Sequence, residues 1–277
     1  MSLSYSLIMP YHRTPTITRF ALRALQKFCT GVVEVLLVHH DPEPTAADLA
    51  LFAEFPDLRV LHCSSSRSGS AAQWEAIDVG WAAASHDLVG ILHSDTIFLK
   101  MGWDEDLFAY MTREELDIVG TCIREITPFR SRSKKIADLW RELSHKRHPK
   151  PDDNRALVPY FLLTRQSVLT KMGYSFLRHG DMIVGRLAQS GYAVGLLSRQ
   201  EVGNLLWHIG YTTRLLCGPG ADGASWQGFR YQWENFLRDP YVASHFADLG
   251  DPLAGLGPGS RTGAAAEATE ALSSPHP

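Results

Sequence analysis

Residues 87–103 read DLVGILHSDTIFLKMGW: an apolar run from Leu88 to Leu92 stops abruptly in His93-Ser94-Asp95, and a second short apolar segment follows. An unbroken apolar run of this length, bounded by polar residues, suits a strand covered on both faces, as in parallel sheets. Buried without partners, an imidazole, a hydroxyl and a carboxylate would cost several kcal/mol. The triplet must therefore be satisfied by neighbours, exposed at the strand's end, or used. A covered strand with polar chemistry at its carboxyl end points to an open α/β sheet, where ligands bind beyond the strand ends.

The flanking sequence repeats this alternation. SYSLIMPYH (4–12) is a short apolar run stopped by Pro10, after which Ile17, Phe20, Ala21, Ala24, Leu25 and Phe28 share one helical face. VVEVLLVHH (32–40) is a second β-rich run stopped by Asp41-Pro42, and ADLALFAEF (47–55) is helical. LRVLHCS (58–64) is a third strand, the polar SSRSGS (65–70) follows, and AAQWEAIDVGWAAAS (71–85) places Trp74 and Trp81 on a core-facing helix. Strands separated by helices predict a mostly parallel sheet flanked by helices. The second half is less regular. It holds a strand in LDIVGTCI (116–123), a basic helix in SRSKKIADLWRELSHKRHPKPDDN (131–154), a strand then a helix in LVPYFLLTRQSVLTKMG (157–173), and a helix then a strand in GDMIVGRLAQSGYAVGLL (180–197). One domain over 1–250 is expected, with halves at 1–115 and 116–250. The Gly-, Pro-, Ala- and Ser-rich tail 251–277 is expected to be disordered.

Composition narrows the function classes. The 277 residues are 45% hydrophobic and 21% charged, as in an ordinary globular protein. A net charge of -3 argues against a dedicated nucleic-acid binder. No apolar run reaches the roughly eighteen residues of a membrane span, and MSLSYSLIMPYHR has no basic leader or cleavage site. The cysteines Cys29, Cys63, Cys122 and Cys217 lack C-x-x-C spacing, so a reduced, cytoplasmic protein with neither zinc site nor disulfide framework is expected.

Four strand ends carry the unusual polar residues: Tyr11-His12-Arg13, His39-His40-Asp41, Ser68-Gly69-Ser70 and His93-Ser94-Asp95. Their order resembles that of the nucleotide-sugar glycosyltransferases of the GT-A fold, especially the family 2-like group, over roughly residues 4 to 213. IMPYHR matches the end of the first strand, LLVHHDP loosely matches the acids of the second, and SRSGSAAQW matches the glycine loop. His93-Ser94-Asp95 stands at the Asp-x-Asp, YFLLTRQSVLTKMGYSF and GDMIVGRLAQSGYAV fit the later segments, and LWHIG supplies the late histidine.

The resemblance implies a metal-dependent transfer of a sugar from a UDP- or GDP-sugar to an acceptor glycan or small molecule, with inversion preferred. Asp95 is implied as the direct metal ligand, with His208 and His93 completing a site for Mn²⁺ or Mg²⁺. Imidazole ligands favour Mn²⁺. Pro10, Tyr11, His12, Arg13, Asp41, Ser68, Gly69, Gln73, His93, Ser94 and Asp95 are implied for the nucleotide sugar, and Asp181 for the catalytic base. His39 and His40 are left out of the metal set as strand-end residues.

Two departures stand out. His93 replaces the first acid of the triplet, and histidines replace both acids after the second strand. A retaining transferase and a degenerate, non-catalytic nucleotide-sugar or glycan binder therefore remain alternatives. Taken singly, Asp95 and Asp181 also read as turn or helix caps, His208 as a core histidine, and the basic helix as a solvated face. A dehydrogenase is excluded by the missing G-x-G-x-x-G, and PYHRTPT lacks the glycine-rich basic signature of a nucleotidyltransferase.

Overall fold

A computed structural model of the chain describes residues 3–41, 43–63, 67, 69–121, 160–180, 182–197, 199–209, 223–251 and 253. Strands β1 (Ser4–Tyr11), β2 (Val32–His39) and β3 (Arg59–His62) alternate with helices α1 (Pro15–Phe28), α2 (Ala46–Glu54) and α3 (Gly69–Ala83). Next come β4 (Leu88–Leu92), β5 (Thr96–Phe98), α4 (Trp103–Arg113) and β6 (Ile118–Gly120). Beyond residue 160 lie β7 (Phe161–Arg165), α5 (Gln166–Lys171), α6 (Phe176–His179), α7 (Ile183–Gln189), β8 (Val194–Leu196), α8 (Arg199–Leu205) and β9 (Leu206–His208), then α9 (Gly223–Arg238) and α10 (Pro240–His245).

The main sheet has the order β3-β2-β1-β4-β7-β6-β8. The β1–β2, β1–β4, β2–β3 and β6–β8 pairs are parallel, and among the described strands of this sheet β7 alone runs antiparallel to its neighbours. The mostly parallel α/β architecture expected from the sequence is therefore present, with β7 as the exception. A second, two-stranded sheet pairs β5 with β9.

Period-2 alternation decides which face each strand residue covers. Tyr5, Leu7, Met9 and Tyr11 of β1 enter one core, together with the α1 residues Ile17, Phe20, Ala24, Leu25 and Phe28. Ile8 faces the other side, in a cluster with Val38, Cys63 and Ala76. There α3 lies close on the sheet, because a Cβ at Gly80 would collide with the Ile8 side chain. Trp74 and Trp81 pack partly buried against the core on this face, as their spacing predicted.

The terminal helices were not foreseen. Phe229, Trp233 and Phe236 of α9 are buried, and the rings of Trp233 and Phe236 stand 5.4 and 6.1 Å from Phe20. Just past residue 250, Trp233 Nε1 donates to Asp251 Oδ1 at 2.8 Å and Leu253 is buried. The rest of the tail lies outside the described residues, as do Ser68, Asp181, the basic helix, Cys122 and Cys217.

Candidate functional site

Strand order reverses between β1 and β4, since β2 and β3 lie to one side and β4 to the other. The β1–β4 ladder stops at Ile8↔Ile91, whereas β1–β2 continues to Tyr11↔His39. The two central strands thus part at their carboxyl ends. Pro10, with no N–H to give, falls in the stretch of β1 beyond that ladder. Such a switch point opens a crevice for ligands.

Beyond β4 the triplet folds back as a turn, with Thr96 N donating to the His93 carbonyl at 3.0 Å. The β5–β9 register sets Thr96 opposite His208, and this pairing carries the late histidine to the triplet. His208 Nε2 lies 3.3 Å from Asp95 Oδ1 and 3.3 Å from His93 Nδ1. Ligand atoms of His93, Asp95 and His208 all fall within 4.8 Å of one another. The three expected ligands therefore come together, although β4 and β9 are far apart in sequence.

The surrounding side chains hold this cluster in place. Tyr160 stacks on His208 with ring centroids 4.5 Å apart and planes 2° apart, while the Tyr160 carbonyl accepts from His93 N at 3.0 Å. Gln73, on α3, sets its side-chain amide against the His93 ring. Burial and the neighbouring His208 push His93 down to about 4, with Asp95 acting in the opposite sense. His93 is thus neutral at pH 7, the form that can ligate a cation. Asp95 is itself nearly buried, at 8% exposure, so its charge acts in a weakly screened setting.

The other strand ends divide. His12 and Arg13 are exposed and both reach Asp41: His12 Nδ1 lies 3.1 Å from Oδ2, and Arg13 Nε donates to Oδ1 at 3.0 Å. Burial alone would raise the Asp41 carboxyl, but His12 and Arg13 outweigh it and hold the group below the usual carboxylate range. Ser94, the middle residue of the triplet, is half-buried, and Gly69 is exposed at the start of α3 with a left-handed φ of 60° that suits glycine. Tyr11 lies apart from these residues. It is 1% exposed, its hydroxyl donates to the Asp48 carboxylate and its ring stacks on His39 at 5.6 Å. Alternation along β1 turns it into the core, away from the crevice.

Sequence reasoning missed Tyr160 and Asp78. Asp78, on α3, accepts from Ser175 Oγ at 2.6 Å, Phe176 N at 2.7 Å and Leu177 N at 3.0 Å. It therefore caps α6 from a different element and anchors the segment that ends in Gly180, one residue before Asp181. Position 78 carried no sequence signal beyond helical spacing. Asp78→Ala would leave these donors without their acceptor, at about 1–3 kcal/mol. The melting temperature should fall accordingly. An unchanged melting temperature would show that the cap contributes nothing.

In overall structure the chain is similar to TarS 1-349 from S. aureus, at 13% identity and a TM-score of 0.51, covering 89% of this chain and 69% of that one. It is also similar to the mannosyltransferase PcManGT from Pyrobaculum calidifontis in complex with GDP-Man and Mn²⁺, at 15% identity and a TM-score of 0.53, covering 99% of this chain and 76% of that one. No curated protein matches the sequence. The fold, the strand-order reversal between β1 and β4 and the sequence then converge, for the model of glycosyl transferase family 2 matches residues 6–173, more than half the chain, and the protein belongs to that family of GT-A glycosyltransferases.

Proposed function

We propose that this glycosyltransferase moves a sugar from a nucleoside-diphosphate donor to an acceptor hydroxyl with inversion, using a divalent ion held by Asp95, His93 and His208. The observation that carries the reading is the convergence of one carboxylate and two imidazoles just beyond β4, at the switch point. Two nitrogens and a carboxylate oxygen suit Mn²⁺ better than Mg²⁺, which prefers all-oxygen sites. The structural neighbour that holds GDP-Man and Mn²⁺ supports a donor and ion of this kind. When bound, the ion neutralises charge that gathers on the diphosphate as the sugar–phosphate bond breaks.

The chain's own residues supply the rest. Asp41, ionised and braced by His12 and Arg13, accepts from ribose hydroxyls or a nucleobase N–H. Arg13 and His12 reach solvent on the same rim, where they attract the donor's negative charge. Gln73 and Tyr160 hold the two imidazoles in their ligating orientation. Asp181 takes the proton from the acceptor hydroxyl as it attacks the anomeric carbon.

Thermal melting with a panel of nucleoside diphosphates, with and without Mn²⁺, tests this directly. A ligand at a hundred times its dissociation constant adds about 2.7 kcal/mol, or roughly 5–10 °C for a chain of this size. The expected result is a rise for one nucleobase that requires Mn²⁺. A rise indifferent to Mn²⁺ would replace the metal-dependent reading by a metal-independent nucleotide site. No rise with any nucleotide would overturn the donor site.

A further inference from the structure

A second group of metal-ligating side chains lies on the α3 face of the sheet, separate from the His93–Asp95–His208 cluster. His40 follows the last residue of β2, Cys63 follows the last residue of β3, and Glu75 projects from α3. The parallel register pairs His39 with His62, so His40 and Cys63 are the next pair along. Cys63 N donates to the His39 carbonyl at 2.9 Å and holds the two chains together at this point. Alternation sends His39 into the core with Tyr11 and Phe52, and Cys63 to the opposite face with Val38 and Ala76. Glu75 immediately precedes Ala76.

Ligand atoms of His40, Cys63 and Glu75 all lie within 4.8 Å of one another. Two of the three residues also carry buried atoms whose hydrogen bonding is unmet. Among the described residues, His40 Nε2 and Glu75 Oε2 have no hydrogen-bond partner, although Arg67 Nε stands 3.5 Å from that carboxylate oxygen. Buried polar atoms are rarely left so, and a missing ion is one reason they are. Cys63 is 5% exposed, and burial together with the Glu75 charge raises its thiol above the ordinary value. A cation between the two would replace that repulsion by attraction to both.

We propose that His40, Cys63 and Glu75 form a second metal site, selective for Zn²⁺, that ties β2, β3 and α3 together. One sulfur, one nitrogen and one oxygen are the donors Zn²⁺ takes in tetrahedral sites, with the fourth position left to water. A thiolate disfavours Mn²⁺ and Mg²⁺, whereas the sulfur-free cluster beyond β4 accepts them. Binding displaces the thiol proton to solvent, so affinity falls as pH is lowered. The sequence concealed this site because its ligands are single residues from three elements, without zinc-finger spacing.

Co²⁺ titration of the reduced full chain reads the site independently of sugar transfer. Thiolate coordination gives a sulfur-to-cobalt charge-transfer band in the near ultraviolet, which an all-nitrogen and oxygen site cannot give. The expected result is a saturable band, displaced by Zn²⁺, with Zn²⁺ also raising the melting temperature. Cys63→Ser should abolish the band and weaken Zn²⁺ binding more than about 100-fold, beyond the loss from removing an outer-shell contact. Glu75→Gln should keep the fold and weaken binding, and Asp95→Ala should leave the band intact. No band in the wild-type chain, or the same band in Cys63→Ser, would overturn the proposal.

Discussion

Replacing Asp95 by alanine should lower sugar transfer by about a thousandfold while the protein stays folded. The size follows from the role: charge stabilisation by a bound ion supplies several kcal/mol, and each 1.36 kcal/mol is about tenfold in rate. Asp95 is the only carboxylate among the three clustered side chains proposed to hold the ion, so its loss would remove the anionic donor and leave two imidazoles. The fold should survive because the local frame is backbone. Thr96 N to the His93 carbonyl, His93 N to the Tyr160 carbonyl and Ile209 N to the Asp95 carbonyl are all kept in the variant. His208 keeps its stack on Tyr160. Two measurements decide the matter: initial rates of transfer, and the Mn²⁺-dependent part of the nucleotide melting shift. Both should collapse together. Turnover within about tenfold of wild type would remove Asp95 as a ligand that matters to the reaction.

What the sequence revealed and what it hid follow from the range of the interactions involved. Leu88–Leu92 was readable as a covered strand because burial on both faces leaves a local mark, and all five residues are buried. The α1 face was readable for the same reason, through spacing alone. Strand order leaves no such mark. The antiparallel entry of β7 between β4 and β6 depends on pairing across some seventy residues of chain, and so does the Tyr160–His93 contact that follows from it. His208 was placed beside Asp95 by resemblance, but the physical cause is the β5–β9 ladder, which no local pattern announces. Tyr11 shows the reverse case. Position in the chain put it with its neighbours His12 and Arg13, whereas the two-residue period of β1 puts its side chain with Asp48 and His39 in the core.

A comparable argument applies to stability at Asp104. This residue of α4 is 2% exposed, yet its carboxylate accepts from Gly31 N at 2.8 Å, Thr30 Oγ1 at 3.0 Å, Thr30 N at 3.1 Å and Tyr5 hydroxyl at 3.1 Å. It joins α4 to β1 and to the turn between α1 and β2. Gly31 allows the approach, because a Cβ there would stand 2.8 Å from the Leu3 carbonyl and 3.1 Å from Asp104 Oδ2. Burial pushes the Asp104 carboxyl up, but the N–H groups of Gly31 and Thr30 more than reverse this and hold it below its ordinary value. Asp104→Ala should therefore cost about 3–5 kcal/mol, since several donors lose a charged acceptor at once. At roughly 2–4 °C per kcal/mol, melting should fall by about 6–20 °C. The pH dependence has a fixed sign. With the folded value depressed, the contribution is complete above the unfolded carboxyl pKa of about 3.9 and is lost as pH falls through the folded value. The gap between wild type and Asp104→Asn should then be full at neutral pH and narrow below about pH 4. A loss under about 1 kcal/mol at neutral pH would show that water replaces the carboxylate at little cost, and that the joint is held by packing instead.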